Sequence, residues 1–218
     1  MHPHNDISRS RITANQKRLL VALLITGLMT VVELIGGILS NSLALIGDAA
    51  HMFTDTLAMG LSIFALNLAK RPANETKTYG YLRAEILAAL TNGTILILIS
   101  VYIFYEAYQR FSDPPEVRGG LMLGVAVIGL IANLVGIWIL RSASHHNLNV
   151  RGAYLHMWGD TLSSFGVIVG GIVIMITGWH YADPLISVLI GVLILKGALG
   201  LYGNQAIFCW KLLPGISM

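Results

Sequence analysis

Gly119 to Leu140 reads GGLMLGVAVIGLIANLVGIWIL, a run with no charged residue and one strongly polar side chain, Asn133. At about 1.5 Å of rise per residue, a helix of that length crosses the roughly 30 Å hydrocarbon core of a bilayer. Five further stretches have the same character, at about 19–39, 43–69, 84–109, 152–178 and 184–207. Between them lie Asn41-Ser42, Lys70 to Arg83, Ser112 to Arg118, Arg141 to Arg151 and Trp179 to Asp183. Pro72, Pro114, Pro115 and Pro184 fall at these breaks, where helices stop or begin. The expected fold is all-α, a polytopic membrane protein with six transmembrane helices. Residues 1–18 form an N-terminal segment, 19–207 the six-helix transmembrane domain and 208–218 a short tail.

The composition agrees. The chain has 218 residues, 55% hydrophobic and only 11% charged, and its mean hydropathy is +0.71. A soluble domain of this length needs far more charge to cover its surface. The single cysteine, Cys209, rules out an internal disulfide framework and a cysteine-based zinc finger. The N-terminus is polar and shows no apolar core followed by a small-residue cleavage site, so no cleaved signal peptide is expected.

The basic residues are sorted by side. Arg9, Arg11, Lys17, Arg18, Lys70, Arg71, Lys77, Arg83, Arg141, Arg151 and Lys211 fall on one side of the expected bilayer. Arg110 and Arg118 fall on the other, and Lys196 lies within the last span. Positive charge collects in the cytoplasm, so both termini are expected there. The same rule accounts for the net charge of +3 without nucleic acid as a partner.

Ionisable groups at bilayer depth are costly, and each is a functional candidate. The second span contains His51-Met52-Phe53-Thr54-Asp55 and the fifth His156-Met157-Trp158-Gly159-Asp160. Both are His-x-x-x-Asp, a spacing that sets an imidazole and a carboxylate on one helix face. From the rise per residue, His51 and Asp55 lie roughly 12 and 18 Å from the outer end of their helix. His156 and Asp160 lie about 9 and 15 Å from the inner surface by the same arithmetic, so the pairs overlap in height. A lone His-x-x-x-Asp is as readily a hydrogen-bonded packing pair. Two copies at matched depth on antiparallel helices are better explained as two nitrogens and two oxygens converging on a tetrahedral metal, with zinc the best fit. No thiolate is present for Cu(I), and the oxygens are too few for calcium.

At these residues the chain resembles the cation diffusion facilitator family of zinc/proton antiporters, from about residue 15 to 200. The likeness rests on the block from Ser42 to Asp55, on Tyr79-Gly80-Tyr81-Leu82-Arg83-Ala84-Glu85, and on His156 to Asp160 followed by Thr161-Leu162-Ser163-Ser164. The resemblance implies that His51, Asp55, His156 and Asp160 hold the transported ion. It also implies export of zinc, and possibly cadmium, against protons by a homodimer. The compact helix set and near absence of long loops fit a bacterial cell membrane, and no enzymatic activity is expected. Members of that family usually continue into a cytoplasmic α/β domain. Here the chain ends some ten residues after the last span, so that domain is expected to be absent and dimer contacts to rest on the membrane helices.

Accessory candidates follow from position. Asp48 shares roughly the face of His51 and Asp55, as a proton relay, an outer partner that orients His51, or an interhelical hydrogen bond. His145 and His146, between the fourth and fifth spans, stand near the approach to His156 and are candidates for capturing the ion; solvated loop residues are the plainer alternative. Interhelical hydrogen bonds are expected of Glu33, Asn67, Asn92 and Asn133, an ion pair of Glu85, and no particular role of His180. Gly166-x-x-x-Gly170 and Gly120-x-x-x-Gly124 have the spacing for close helix approach. A membrane metalloenzyme would need more histidines or a His-Glu-x-x-His element, and a pore would need rings of like charge; neither pattern occurs.

Overall fold

A computed structural model of the chain describes residues 4–69, 82–144 and 148–211, with side chains within 17–57, 60, 90–144 and 150–200. The described residues are helical apart from short turns. The six helices are α1 His4–Ser40, α2 Leu43–Ala69, α3 Leu82–Ser112, α4 Gly119–Ser144, α5 Leu148–Thr177 and α6 Ala182–Lys211. Five contain a described stretch long and apolar enough to cross a bilayer: Lys17–Ser40, Leu90–Ser112, Gly119–Ser144, Val150–Thr177 and Ala182–Gly200. The helix α2 has 27 residues and packs among the others against α1, α3 and α6, and against α5. Its described side chains run only over 43–57 and 60, and they include Asp48, His51 and Asp55.

Several helices overrun the lengths that hydropathy assigns. The α1 helix begins at His4 rather than near 19, and α6 continues to Lys211 rather than 207. Arg141 to Ser144 and Leu148 to Arg151 are helical rather than loop, and Asp183 belongs to the first turn of α6. Bilayer thickness limits the apolar run, whereas backbone hydrogen bonding continues until a residue stops it.

The α1–α2 turn is set locally. Asn41 adopts φ 57°, the left-handed conformation that an Asn tolerates better than most residues. Ser42 N donates to Gly37 O at 3.0 Å, closing the end of α1. The Ser42 hydroxyl accepts from Leu45 N at 3.2 Å, an N-cap for α2. A second cap arrives from α6: Asp183 accepts from the Ser42 hydroxyl at 2.6 Å, Leu43 N at 2.8 Å and Ala44 N at 3.2 Å. Arg110 of α3 donates to Asn41 O at 2.7 Å and stands 3.5 Å from Asp183. Four segments are thus pinned at one end of the bundle.

The interior divides in two. The larger apolar cluster includes Leu45, Leu96, Ile103, Met122, Val167, Ile190 and Ile194, from α2 through α6. A smaller one, with Ala22, Ile137, Leu140, Val150 and Met157, joins α1, α4 and α5 at the opposite end from the Asp183 clamp. Outward faces remain apolar, with Leu24, Leu28, Ile35, Ile131, Trp138 and Ile176 among the exposed side chains, the surface that lipid covers. Of the glycine pairs singled out by spacing, only Gly170 makes a close approach, to Ile186; Gly120, Gly124 and Gly166 face open space within the chain.

Candidate metal site

The α2 and α5 helices meet in an antiparallel register that their polar contacts reveal. Asp55 Oδ2 lies 3.1 Å from His156 Nε2, His51 Nε2 lies 3.9 Å from Asp160 Oδ1, and Ser163 Oγ donates to Asp48 Oδ1 at 2.7 Å. Each step of three or four residues along one helix is matched by an equal step backward along the other. The two His-x-x-x-Asp segments therefore face each other. Within each helix, His51 Nδ1 is 3.2 Å from Asp55 Oδ2 and His156 Nε2 is 3.6 Å from Asp160 Oδ2. One potential ligand atom from each of the four residues fits in a group within 4.8 Å of one another. The imidazoles meet edge to face, ring centres 5.7 Å apart.

These distances are informative because they are not hydrogen bonds. His51 Nδ1, Asp55 Oδ2, His156 Nε2 and both Asp160 oxygens are buried without a hydrogen-bond partner. Zinc bonds of about 2.0–2.1 Å set the donors of a tetrahedron roughly 3.3 Å apart, within the 3.1–3.9 Å range of these contacts. Buried polar atoms are otherwise almost always paired, so a group of them lying close without pairing is a set of lone pairs directed at a shared centre. The donor set of two imidazoles and two carboxylates suits zinc or a similar divalent ion.

Burial is graded across the site. The side chains of His156 and His51 are 28% and 25% exposed and Asp55 16%, whereas Asp160 is 1%. Beyond Asp160, on the side of the α2 N-terminus, Asp48 and Ser164 are buried and Ser163 nearly so. His156, His51 and Asp55 carry the exposed part of the site, whereas Asp160 and its neighbours Asp48 and Ser164 are buried.

Other residues resolve as follows. Asp48 does not join the ligand set; its partner is Ser163 across the α2–α5 interface, and no bond to His51 is formed. Asn133 bonds to the Ser164 hydroxyl at 3.4 Å, the interhelical contact expected of it. Glu33 departs from expectation: it is fully buried, yet neither carboxylate oxygen has a hydrogen-bond partner. His180 Nδ1 accepts from Val117 N at 3.2 Å and ties two loops together. His145 and His146 lie outside the described residues, as do the side chains of Asn67 and Glu85. The Asp183 clamp and the Ser163 contact are not suggested by the sequence, since each joins residues more than 100 positions apart in the chain.

Comparison with known proteins follows the same lines. The cation efflux transmembrane domain family matches residues 19–204. A cadmium, cobalt and zinc/H(+)-K(+) antiporter of Bacillus subtilis is 48% identical over 198 residues, covering 89% of this chain and 61% of that protein. The metal cation efflux system protein CzcD of Cupriavidus metallidurans is 48% identical over 181 residues, with 83% and 57% covered. The zinc transporter ZitB of Escherichia coli is 44% identical over 185 residues, with 84% and 59% covered. The chain thus spans about three-fifths of the length of these relatives. Five apolar helices, the transmembrane family match and the bacterial relatives together make it a multi-pass protein of the bacterial cell membrane.

Proposed function

The chain belongs to the cation efflux family, and on that premise we propose that it exports zinc, and also cadmium, from the cytoplasm in exchange for protons at His51, Asp55, His156 and Asp160. The observation that carries this reading is the convergence of four unpartnered donors at one place between α2 and α5. The names of the relatives, which include zinc transporters and a metal/H(+)-K(+) antiporter, support the choice of ions.

Charge explains why protons are the counter-ion. Two carboxylates, two neutral imidazoles and a divalent cation sum to zero, which a low-dielectric interior tolerates. The same site without metal carries two negative charges, and two bound protons restore neutrality. Metal and protons compete for the same atoms, so a carrier that returns protonated moves both at similar electrostatic cost. The excess of basic residues at the α5 N-terminal side makes that side cytoplasmic. The resemblance extends the proposal to a homodimer joined through its membrane helices, which light scattering in detergent checks.

The test uses liposomes with a trapped zinc indicator and an imposed pH gradient. Zinc flux through the wild type is expected to follow the proton gradient, and Asp160→Ala is expected to fall to the level of protein-free vesicles. Undiminished flux in Asp160→Ala would remove the four-residue site from the proposal.

A further inference from the structure

The end of the bundle opposite the Asp183 clamp carries a groove that the metal site does not use. It lies between α1 and α4, is lined by Arg18, Trp138, Ile139, Arg141 and Ser142, and holds about 560 Å³. That is within the roughly 300–1,000 Å³ of small-molecule clefts. Its height in the bilayer follows from the two helices. Arg118 N donates to Ser40 O at 2.9 Å, so the end of α1 and the start of α4 stand level. Arg18 comes 22 residues before Ser40, and Arg141 comes 22 residues after Gly119. At 1.5 Å per residue both arginines stand about 33 Å from that level, just past a hydrocarbon core of about 30 Å. Trp138, nearly one turn nearer, falls at about 28 Å, the boundary of core and headgroups where an indole is favoured.

The groove is built for an anion with an apolar body. Arg18 Nη1 donates to Ser142 Oγ at 2.7 Å, which draws this guanidinium across to α4 and into one lining with Arg141. One such bond leaves most of the N–H donors of a guanidinium unused. Among the described residues neither Arg18 nor Arg141 has an ion-pair partner. A basic residue that only sets topology needs no bond to a neighbouring helix and no groove beside it. Trp138 is 76% exposed, and the surface toward the bilayer centre continues apolar through Leu134 on α4 and through Leu20 and Leu24 on α1. A soluble anion would satisfy the arginines and leave the indole and this apolar wall without a use. We propose that the groove binds an anionic phospholipid, with Arg18 and Arg141 donating to its phosphate oxygens, Trp138 at the level of the glycerol and the acyl chains along the α1–α4 face. Basic pockets between membrane helices at the cytoplasmic side suit such headgroups. The bound lipid would tie α1 to α4 beside the small cluster of Ala22, Ile137 and Leu140. None of these groups belongs to the His51–Asp55–His156–Asp160 quartet, so the inference stands apart from the zinc reading.

The experiment titrates the purified full chain, stripped of lipid in an uncharged detergent, with dioleoyl phosphatidylglycerol, dioleoyl phosphatidylcholine or inorganic phosphate. The unfolding midpoint reports binding, because a ligand held by the folded state raises it. Phosphatidylglycerol is expected to raise the midpoint saturably, and the other two to raise it far less at equal concentration. Arg141→Gln, at an exposed position, should weaken phosphatidylglycerol binding about fivefold, the fold-change of roughly 1 kcal/mol per basic residue near a membrane surface. Arg18→Gln should weaken it at least as much and serves as the second variant if Arg141→Gln does not fold. Arg118→Gln, at the opposite end of α4, removes the same charge and should leave the affinity unchanged. Equal shifts from phosphatidylglycerol and phosphatidylcholine would overturn the proposal. A shift from inorganic phosphate as large as that from phosphatidylglycerol would overturn the lipid as occupant in favour of a soluble anion. An affinity unchanged in whichever groove variant folds, or weakened equally by Arg118→Gln, would reduce the effect to overall charge and overturn the site.

Discussion

Asp183 and Asp160 are buried to the same degree, at 0% and 1% exposure, in the same bundle. Their surroundings are opposite. Asp183 accepts from the Ser42 hydroxyl and from Leu43 N and Ala44 N, at the positive end of α2 with Arg110 beside it. Asp160 has no hydrogen-bond partner on either oxygen and shares its space with two imidazoles and Asp55. A carboxylate that only holds helices together is fully paired within the chain. One proposed to bind and release an ion has its lone pairs uncommitted. The contrast separates fold from function without appeal to the kind of residue, since both are aspartates.

The largest effect should come from breaking the paired member. Asp183→Ala leaves the α2 N-terminus and Arg110 without their acceptor, and removal of one partner from a buried charged pair costs about 3–5 kcal/mol. Thermal unfolding in detergent should show a large drop in midpoint. Asp160→Ala in metal-free protein should be neutral or stabilising, because it removes a like charge from beside Asp55. If the two variants unfolded alike, buried pairing would not distinguish the regions.

Added metal should reverse that ranking. Zinc at a hundred times its dissociation constant stabilises the wild type by about 2.7 kcal/mol, seen as an upward shift of the midpoint. His156→Ala and Asp160→Ala should lose most of that shift, whereas the residual folded fraction of Asp183→Ala should keep it. A zinc shift that survives His156→Ala would mean the ion binds elsewhere.

Ser163→Ala tests the boundary between the regions. Asp48 is a paired carboxylate, like Asp183, but it stands one turn from the unpaired group. Losing the 2.7 Å hydroxyl contact should destabilise by about 1–2 kcal/mol, with zinc binding retained. A larger loss of zinc affinity than of stability would place Asp48 with the ligands rather than beside them.

How much of this was legible in the sequence depends on the distance over which the signal acts. The six helices follow from apolar runs and their breaks, a local property. Their true ends did not follow, because hydropathy reports bilayer thickness and not where hydrogen bonding stops; α1 from His4 and α6 to Lys211 show the difference. The convergence of the four candidate residues was readable because the i, i+4 spacing occurs twice and the rise per residue fixes depth. Asp183 was read as the end of a loop, since nothing local says that it caps a helix 140 residues away. Glu33 was expected to hydrogen-bond, as a buried polar residue usually does. Whether a partner is present is decided by what α4 places opposite, and Gly129 places nothing there but room.

The smallest effect belongs to the rim of the clamp and decides how the clamp works. Arg110 reaches Glu106 at 3.1 Å through Nε, Asn41 O at 2.7 Å and Asn41 Oδ1 at 3.3 Å, and stands 3.5 Å from Asp183. Glu106 is 27% exposed, and an i, i+4 pair so placed is worth about 0.3–0.5 kcal/mol. Glu106→Gln should therefore shift the unfolding midpoint barely, because the two bonds to Asn41 already orient the guanidinium. If Glu106→Gln instead approached the cost of Asp183→Ala, Arg110 would be the element that holds the turn, and Asp183 would act by fixing Arg110. A small effect leaves the cap on α2 as the source of the stability, since three of the four partners of Asp183 belong to that helix start and are untouched by the substitution.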